Sequence, residues 1–345
     1  MERVKVLVTG GAGYIGSHTV VELYAAGYQP VIVDNLSNSS LDVLEGIEKI
    51  TGVSPLFEKL DCTDIDAMRN LFQRDKGIRH AIHFAAYKAV GESVEHPLIY
   101  YRNNLVSLLN LVEVMEEQGP SSIVFSSSCT VYGQPDPEFL PVSEDAPLQP
   151  AQSPYGKTKQ MCESILEDTI KSGNSKLNVI SLRYFNPVGA HPSAYIGELP
   201  RGVPQNLLPF VTQTAAGLRK ELSVFGNDYN TPDGSCIRDY IYVCDLAKAH
   251  VAAIDRLQSM HERGTLEYFN LGTGRGLSVL EVLDEFMKAN SLEVPFKIAP
   301  RRKGDIEQVW ADPSKANQVL GWKADTPLDQ IMKSAWRWEK RIRNL

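Results

Sequence analysis

Short apolar runs alternate with longer amphipathic stretches through the first half of the chain. Val4 to Val8 reads as a buried strand, and a helical pattern follows its glycine-rich end through about Gly27. Pro30 to Val33 is a second strand, Pro55 to Leu60 a third, His80 to Ala86 a fourth and Ser121 to Ser127 a fifth. Helices are expected around Ile65 to Arg74, over roughly Leu98 to Gln118, and from near Pro154. Asn178 to Arg183 is a sixth strand. Strands and helices alternating at this spacing predict an α/β fold, a doubly wound parallel sheet. Beyond residue 186 the pattern loosens. Residues 187 to 235 are rich in Pro, Gly and Asn, so extended loops are expected there, and a helix is expected from Leu246 to Leu257. Two domains follow from this change: residues 1–186, with a return near 237–260, and a smaller mixed α/β substrate domain over 187–345.

The first strand runs into TGGAGYIG, Thr9 to Gly16. Glycines 10, 11, 13 and 16 permit a tight turn, close approach of a pyrophosphate, and packing of helix on strand, with the helix N-terminus facing the anion. This is the fingerprint of a Rossmann-type nucleotide-binding sheet. The second strand ends in Asp34, eighteen residues after Gly16. A carboxylate there accepts hydrogen bonds from the ribose hydroxyls and repels a 2′-phosphate, and no Arg follows within a dozen residues, so NAD is expected over NADP. Ligands of such sheets sit at the carboxyl ends of the strands. Gly16, Asp34, Asp61, Ala85 and Ser128 all fall at those ends.

Tyr155 and Lys159 are four residues apart in the helix that starts near Pro154. They project from one face, and an ammonium beside a phenol favours the phenolate. Bringing a tyrosine near neutrality takes roughly 4 kcal/mol, and the product is a general base for an alcohol. Ser128, after the fifth strand, can bond both the substrate oxygen and the phenol. Asn103 and Asn104 lie inside the 98–118 helix, where Asn is mildly unfavourable, which points to a site role for one of them.

Composition narrows the classes. The chain has 345 residues, 43% hydrophobic and 22% charged, with a formal net charge of −7, and no apolar run of membrane-spanning length. Neither nucleic acid nor a membrane is an expected partner. Three residues before the first strand leave no room for a signal peptide, and five scattered cysteines without a Cys-x-x-Cys fit reduced thiols, so a cytoplasmic location is expected. His80 and His83 are three apart in a strand and point to opposite faces, so no metal site is expected.

The Gly-rich turn, Ser128 and the Tyr155-x-x-x-Lys159 helix, in this order, resemble the extended short-chain dehydrogenase/reductase family. TGGAGYIGSHT (9–19), IVDNLSNS (32–39), HFAAYKAVGES (83–93), VFSSSCTVYG (124–133), SPYGKTK (153–159), LRYFNPVGAH (182–191), VFGNDY (224–229), IRDYIYVCDLAKAH (237–250), YFNLGTG (268–274) and RRKGD (301–305) are similar to the branch that epimerises UDP-hexoses at C4. The resemblance implies NAD held by Gly10, Gly13, Tyr14, Ile15, Gly16, Asp34, Asn35, Asn38, Asp61, Cys62, Phe84, Ala85, Lys88, Asn104, Tyr155, Lys159 and Tyr184. It implies a UDP-hexose contacted by Lys88, Ser128, Thr130, Tyr184, Phe185, Asn186, Asn206, Leu207, Phe225, Arg238, Tyr240, Arg302, Asp305 and Val309. A homodimer through the helices near 98–118 and 155–171 is implied as well.

The implied chemistry is removal of the 4-OH proton by Tyr155 and of the C4 hydride by NAD, giving a 4-keto sugar that turns over and is reduced from its other face. Two alternatives are a sugar-nucleotide 4,6-dehydratase and a non-catalytic NAD-binding scaffold. The dehydratases resemble one another in an Asp-Glu pair where this chain has Cys129-Thr130, and the intact Ser128, Tyr155 and Lys159 argue against a scaffold. Three departures stand out: Cys129 in place of a usual alanine, a slightly long loop from Gln134 to Leu140, and Val309 where Tyr or Cys is more frequent. Valine there is expected to leave room for an N-acetyl group at C2, unless Leu199 or Tyr195 fills it.

Overall fold

The computed structural model describes residues 3–117, 119, 121–302 and 305–345. The first half alternates strand and helix: β1 (Lys5–Thr9), α1 (Tyr14–Ala25), β2 (Gln29–Asp34), α2 (Asp42–Thr51), β3 (Leu56–Lys59), α3 (Ile65–Arg74), β4 (Ile78–His83), α4 (Val90–Glu95), α5 (Pro97–Glu117), β5 (Ser122–Ser126), α6 (Pro154–Lys171) and β6 (Asn178–Tyr184). The second half has shorter elements: β7 (Asn186–Val188), α7 (Leu207–Ala215), β8 (Leu222–Phe225), β9 (Ile237–Arg238) and β10 (Tyr240–Tyr242). It continues with α8 (Val243–Ser259), β11 (Leu266–Leu271), β12 (Leu277–Ser278), α9 (Val279–Asn290), β13 (Phe296–Ala299), β14 (Gln308–Val309), α10 (Ser314–Val319) and α11 (Leu328–Arg343).

Seven parallel strands form the main sheet in the order β11-β6-β5-β4-β1-β2-β3. The central strands are apolar on both sides because helices cover both faces. On one face α1, α2 and α8 bury Val20, Leu23, Ile47, Leu246 and Ile254 against Val6, Val8, Ile82 and Ile180. On the other, α3, α5 and α6 bury Phe72, Leu108, Leu111, Cys162 and Leu166 against Leu7, Ile123 and Val179. The two periodicities therefore meet in one layered core. A separate cluster built from α7, β8, α9 and α11 holds the second half together.

The returning segment reaches further than the pattern indicates. β10 pairs with β7, α8 covers the sheet, and β11 pairs with β6 as the seventh strand, through Leu271. Leu266 to Leu271 was not recognisable as a sheet strand because Glu267 and Asn270 interrupt its apolar run. Within the loop-rich stretch after residue 186, α7 is a regular helix. Among the described residues no helix is long and apolar enough to cross a membrane, and all five cysteines are unpaired.

Candidate active site

α6 begins where Ser153 accepts the Gly156 N–H at 3.1 Å and Pro154 occupies the first turn. This cap fixes the helix entry, and so places Tyr155 one residue past Pro154, over the end of β5. Tyr155, Lys159 and Ser128 are all buried. Lys159 Nζ donates to the Ser126 carbonyl at 2.5 Å and lies 6.0 Å from the centre of the Tyr155 ring. Tyr184, at the end of β6, shares a short hydrogen bond with Ser126 Oγ.

The electrostatics of the trio differ from the expectation drawn from Tyr-x-x-x-Lys. Burial raises the Tyr155 phenol well above its ordinary value, Tyr184 adds to the rise, and Ser128 pulls it down. Lys159 is itself pushed down to about 8 by burial, with Cys162 and Glu163 opposing. Desolvation of a phenol in a low-dielectric pocket outweighs an ammonium whose hydrogen bond is directed at a carbonyl. The lowering expected of Lys159 is therefore not a property of the chain alone.

The glycine-rich turn forms a cradle. Gly10 has φ of +70°, and a Cβ there would come within 2.9 Å of the Ala85 nitrogen. A Cβ on Gly16 would run into the Gly10 carbonyl, so β1 and α1 approach as closely as backbone permits. Gly13 caps α1 without any side-chain hydrogen bond, which leaves the first-turn N–H groups facing outward as an anion site. At the base of the cradle, Asp34 accepts from Ala12 N at 3.1 Å, Leu36 N at 2.8 Å and Ser39 Oγ at 2.8 Å. Two carboxylate oxygens offer about four acceptor positions, so one remains for a ribose hydroxyl. Asn35 donates to Asp61 at 2.9 Å, joining the ends of β2 and β3. Cradle, uncapped helix end and acceptor carboxylate fit a dinucleotide.

Other expected cofactor residues are placed less directly. Asn104 receives the Tyr87 N–H at 2.8 Å, donates to the Tyr87 carbonyl at 3.0 Å and reaches Thr158 Oγ1 at 3.1 Å. It clamps the loop carrying Lys88 onto α6, and its amide is already engaged. Asn103 donates to Asn104. Ile15 and Cys62 turn their side chains into the core. Phe84 packs on His250 with ring centres 4.7 Å apart. Asn38 is exposed.

The substrate-side residues gather into three groups. Lys88 and Asn206 both donate to Glu198, at 3.2 and 2.6 Å, and Lys88 stands 5.7 Å over the Tyr14 ring. Arg302 makes a bidentate contact with Asp305 and lies 5.4 Å over the Phe225 ring, while Arg301 is taken by Asp228. Lys303 and Gly304 of the RRKGD stretch lie outside the described residues. Arg238 ties its guanidinium to the carbonyls of Ile237, Ile306 and Glu307, and Val309 pairs with it in register. Asn186 and Tyr240 are register partners, and Leu207 opens α7. Thr130 Oγ1 is buried without a partner among the described residues. Phe185 and Val309 are packed with Val131 and Tyr132 in a closed apolar cluster, and Val309 is only 2% exposed. Leu199 is exposed, Tyr195 sits beside Lys49 and Arg341, and neither belongs to the cluster around Val309.

A family model described as GDP-mannose 4,6 dehydratase matches residues 7–335. The UDP-glucose 4-epimerase of Dictyostelium discoideum is 52% identical over 97% of this chain and 95% of its own. The structure of the Stenotrophomonas maltophila UDP-glucose-4-epimerase with bound NAD and formylated UDP-arabinopyranose superposes with a TM-score of 0.94 at 47% identity, covering 99% of both chains. That of the Bifidobacterium longum UDP-glucose 4-epimerase in complex with NAD+ and UDP gives 0.93 at 46%, again over 99% of both. The chain belongs to the UDP-glucose 4-epimerases of the extended short-chain dehydrogenase/reductase family.

Several residues that shape this epimerase site escaped the sequence reading. Glu198 holds Lys88 and Asn206, and Arg201 reaches the carbonyls of Ser37 and Ser39 beside Asp34. Both come from the loop-rich stretch, where no periodicity marks a position. Glu163 and Arg183 form a buried ion pair under Ser127. Their signal was available: Arg183 sits in an apolar strand, and Glu163 is one turn past Lys159.

Proposed function

We propose that this chain interconverts UDP-glucose and UDP-galactose at C4 through a transient 4-keto sugar, with NAD held permanently, as a cytoplasmic homodimer. The observation that carries the chemistry is that α6 brings Tyr155 and Lys159 to the end of β5, where Ser128 follows. Residues 1–186 with the returning segment would hold NAD, and the rest of the chain the UDP-hexose. Gly10, Gly13 and Gly16 admit the diphosphate, the first turn of α1 donates to it, and Asp34 takes a ribose hydroxyl. Bound NAD supplies the hydride acceptor for C4 and a positive charge beside the tyrosine.

In this reading Tyr155 removes the proton from O4 and returns it, and Ser128 bonds the same oxygen and orients the transfer. Thr130, with its unpartnered hydroxyl, faces the sugar. Lys159 keeps its charge near the phenol and bonds the nicotinamide ribose. Phe225, Arg302 and Asp305 grip the nucleotide, which leaves the hexose free to turn. Cys129 stays a thiol, since burial pushes it up to about 11, and it does not compete as a base. The absence of an Asp-Glu pair at 129–130 removes the acid and base that a dehydratase needs.

Support for the dimer comes from α5 and α6, which carry Leu98, 77% exposed, with Ile99, Leu109 and Met161 also exposed. A cytoplasmic location is consistent with five unpaired thiols. Valine at 309, rather than a larger side chain, favours a second activity on UDP-GlcNAc and UDP-GalNAc. Incubation with UDP-galactose tests the main reading: UDP-glucose should form without net NADH. Absence of epimerisation with NAD bound would overturn it.

A further inference from the structure

Glu163 stands on α6 four residues past Lys159 and eight past Tyr155, on the same helix face. Its Oε1 accepts from Ser127 Oγ at 2.7 Å, Ser181 Oγ at 2.9 Å and Arg183 Nε at 3.0 Å, and its Oε2 accepts from Arg183 Nη2 at 2.8 Å. Arg183 in turn donates to Tyr132 OH at 3.0 Å and lies between the Tyr132 and Tyr268 rings, 5.1 and 4.4 Å from their centres. Tyr132 OH donates to Asn270 at 2.7 Å. Both members of the ion pair have side chains only 5% exposed. A buried pair of this kind gains little stability over well-packed apolar residues, because desolvation offsets the attraction. What it does supply is direction, since its hydrogen bonds tie α6, β6 and the residue after β5 into one geometry.

That direction falls on the stretch carrying Ser128. Lys159 holds the Ser126 carbonyl, Glu163 holds the Ser127 hydroxyl, and Gln160 Nε2 holds the Val131 carbonyl at 2.8 Å. Two turns of α6 thus grip the chain on both sides of Ser128. Through Ser181 and Arg183 the same carboxylate anchors β6, whose next residue, Tyr184, bonds Ser126. We propose that Glu163 is a positioning residue for the epimerisation: through Ser127 and Arg183 it sets the approach of Ser128 to Tyr155. The inference rests on the function proposed above. Proton transfer is steeply sensitive to such placement, whereas binding of the distant UDP moiety is not.

Ser127→Ala is the decisive variant, since it deletes one hydrogen bond to Glu163 and leaves the ion pair in place. Expected are a kcat for UDP-galactose lowered roughly tenfold, KM within twofold of wild type, a displaced pH profile of kcat, and unchanged NAD content. The double variant Glu163→Leu/Arg183→Met removes both buried charges together with the acceptor of the Ser127 hydroxyl, and should melt near the wild-type temperature while kcat stays low. The proposal is overturned if Ser127→Ala keeps the wild-type kcat and pH profile, or if the double variant regains them. Where the double variant fails to fold, Ser127→Ala alone decides. A wild-type protein that binds NAD yet leaves UDP-galactose unchanged would instead overturn the function reading, and this inference with it.

Discussion

Lys159 directs its ammonium at the Ser126 carbonyl, 2.5 Å away, and stands 6.0 Å from the centre of the Tyr155 ring. The lysine thus fixes the end of β5 as well as charging the pocket, while burial keeps the Tyr155 phenol protonated in the chain by itself. For the role proposed above, the phenol needs the charge that arrives with the ligands.

Tyr155→Phe removes the proposed proton acceptor and keeps the ring. Turnover of UDP-galactose should fall by about 10²–10⁴-fold, with NAD content and UDP binding close to wild type. Wild-type-like epimerisation by this variant would show that the proton leaves by another group, Ser128 being the nearest.

Asp34→Ala takes away the carboxylate at the base of the glycine cradle. A hydrogen bond to a charged group contributes about 1.5–3 kcal/mol, so NAD should dissociate roughly 10- to 100-fold more readily. The ratio of bound NAD to protein after dilution and gel filtration measures this. Undiminished retention would remove Asp34 from the cofactor site.

Val309→Tyr places a ring in the cluster formed by Val131, Tyr132 and Phe185. Overpacking there costs about 1–3 kcal/mol unless the ring turns toward the sugar. Activity on UDP-GalNAc should disappear while that on UDP-galactose survives, at a lowered melting temperature. If the wild type never turns over UDP-GalNAc, valine at this position gives no such permission.

Acid should destabilise the fold through its buried histidines. Burial lowers His18 and His83 to about 3 and His250 to about 4. A histidine depressed on folding contributes stability above its unfolded value near 6.5, and loses it as pH falls from there toward the folded value. From pH 6.5 to 5 the loss is about 2 kcal/mol per histidine at most. Denaturant unfolding of His250→Phe should show a shallower decline over that range than wild type. An identical slope would mean that His250 is not what titrates.

The glycine-rich turn, the carboxylate ending β2 and the Tyr155–Lys159 spacing were legible because each is local. A turn needs particular φ values, a strand end lies a fixed number of residues from its start, and helical neighbours recur at four. Helices α3, α5 and α6 and the central strands of the first half were recognisable for the same reason, since burial on both faces writes near-continuous apolar runs, whereas the edge strand β3 is half exposed and was marked mainly by its place in the alternation.

What the sequence by itself determined is therefore the sheet, the cradle and the pairing of Tyr155 with Lys159 on one helix face. Tertiary structure alone decided the rest. β11 joins the sheet from about eighty residues beyond β6, a pairing that no local period encodes. Glu198 and Arg201 reach Asn206 and the end of β2 from a loop, and Glu163 on α6 meets Arg183 on β6 and Ser127 in the loop after β5. The state of Tyr155 belongs to this second class too. Spacing puts an ammonium near a phenol, but how deeply the fold buries the pair, and which carbonyl claims the ammonium, sets the sign of the shift.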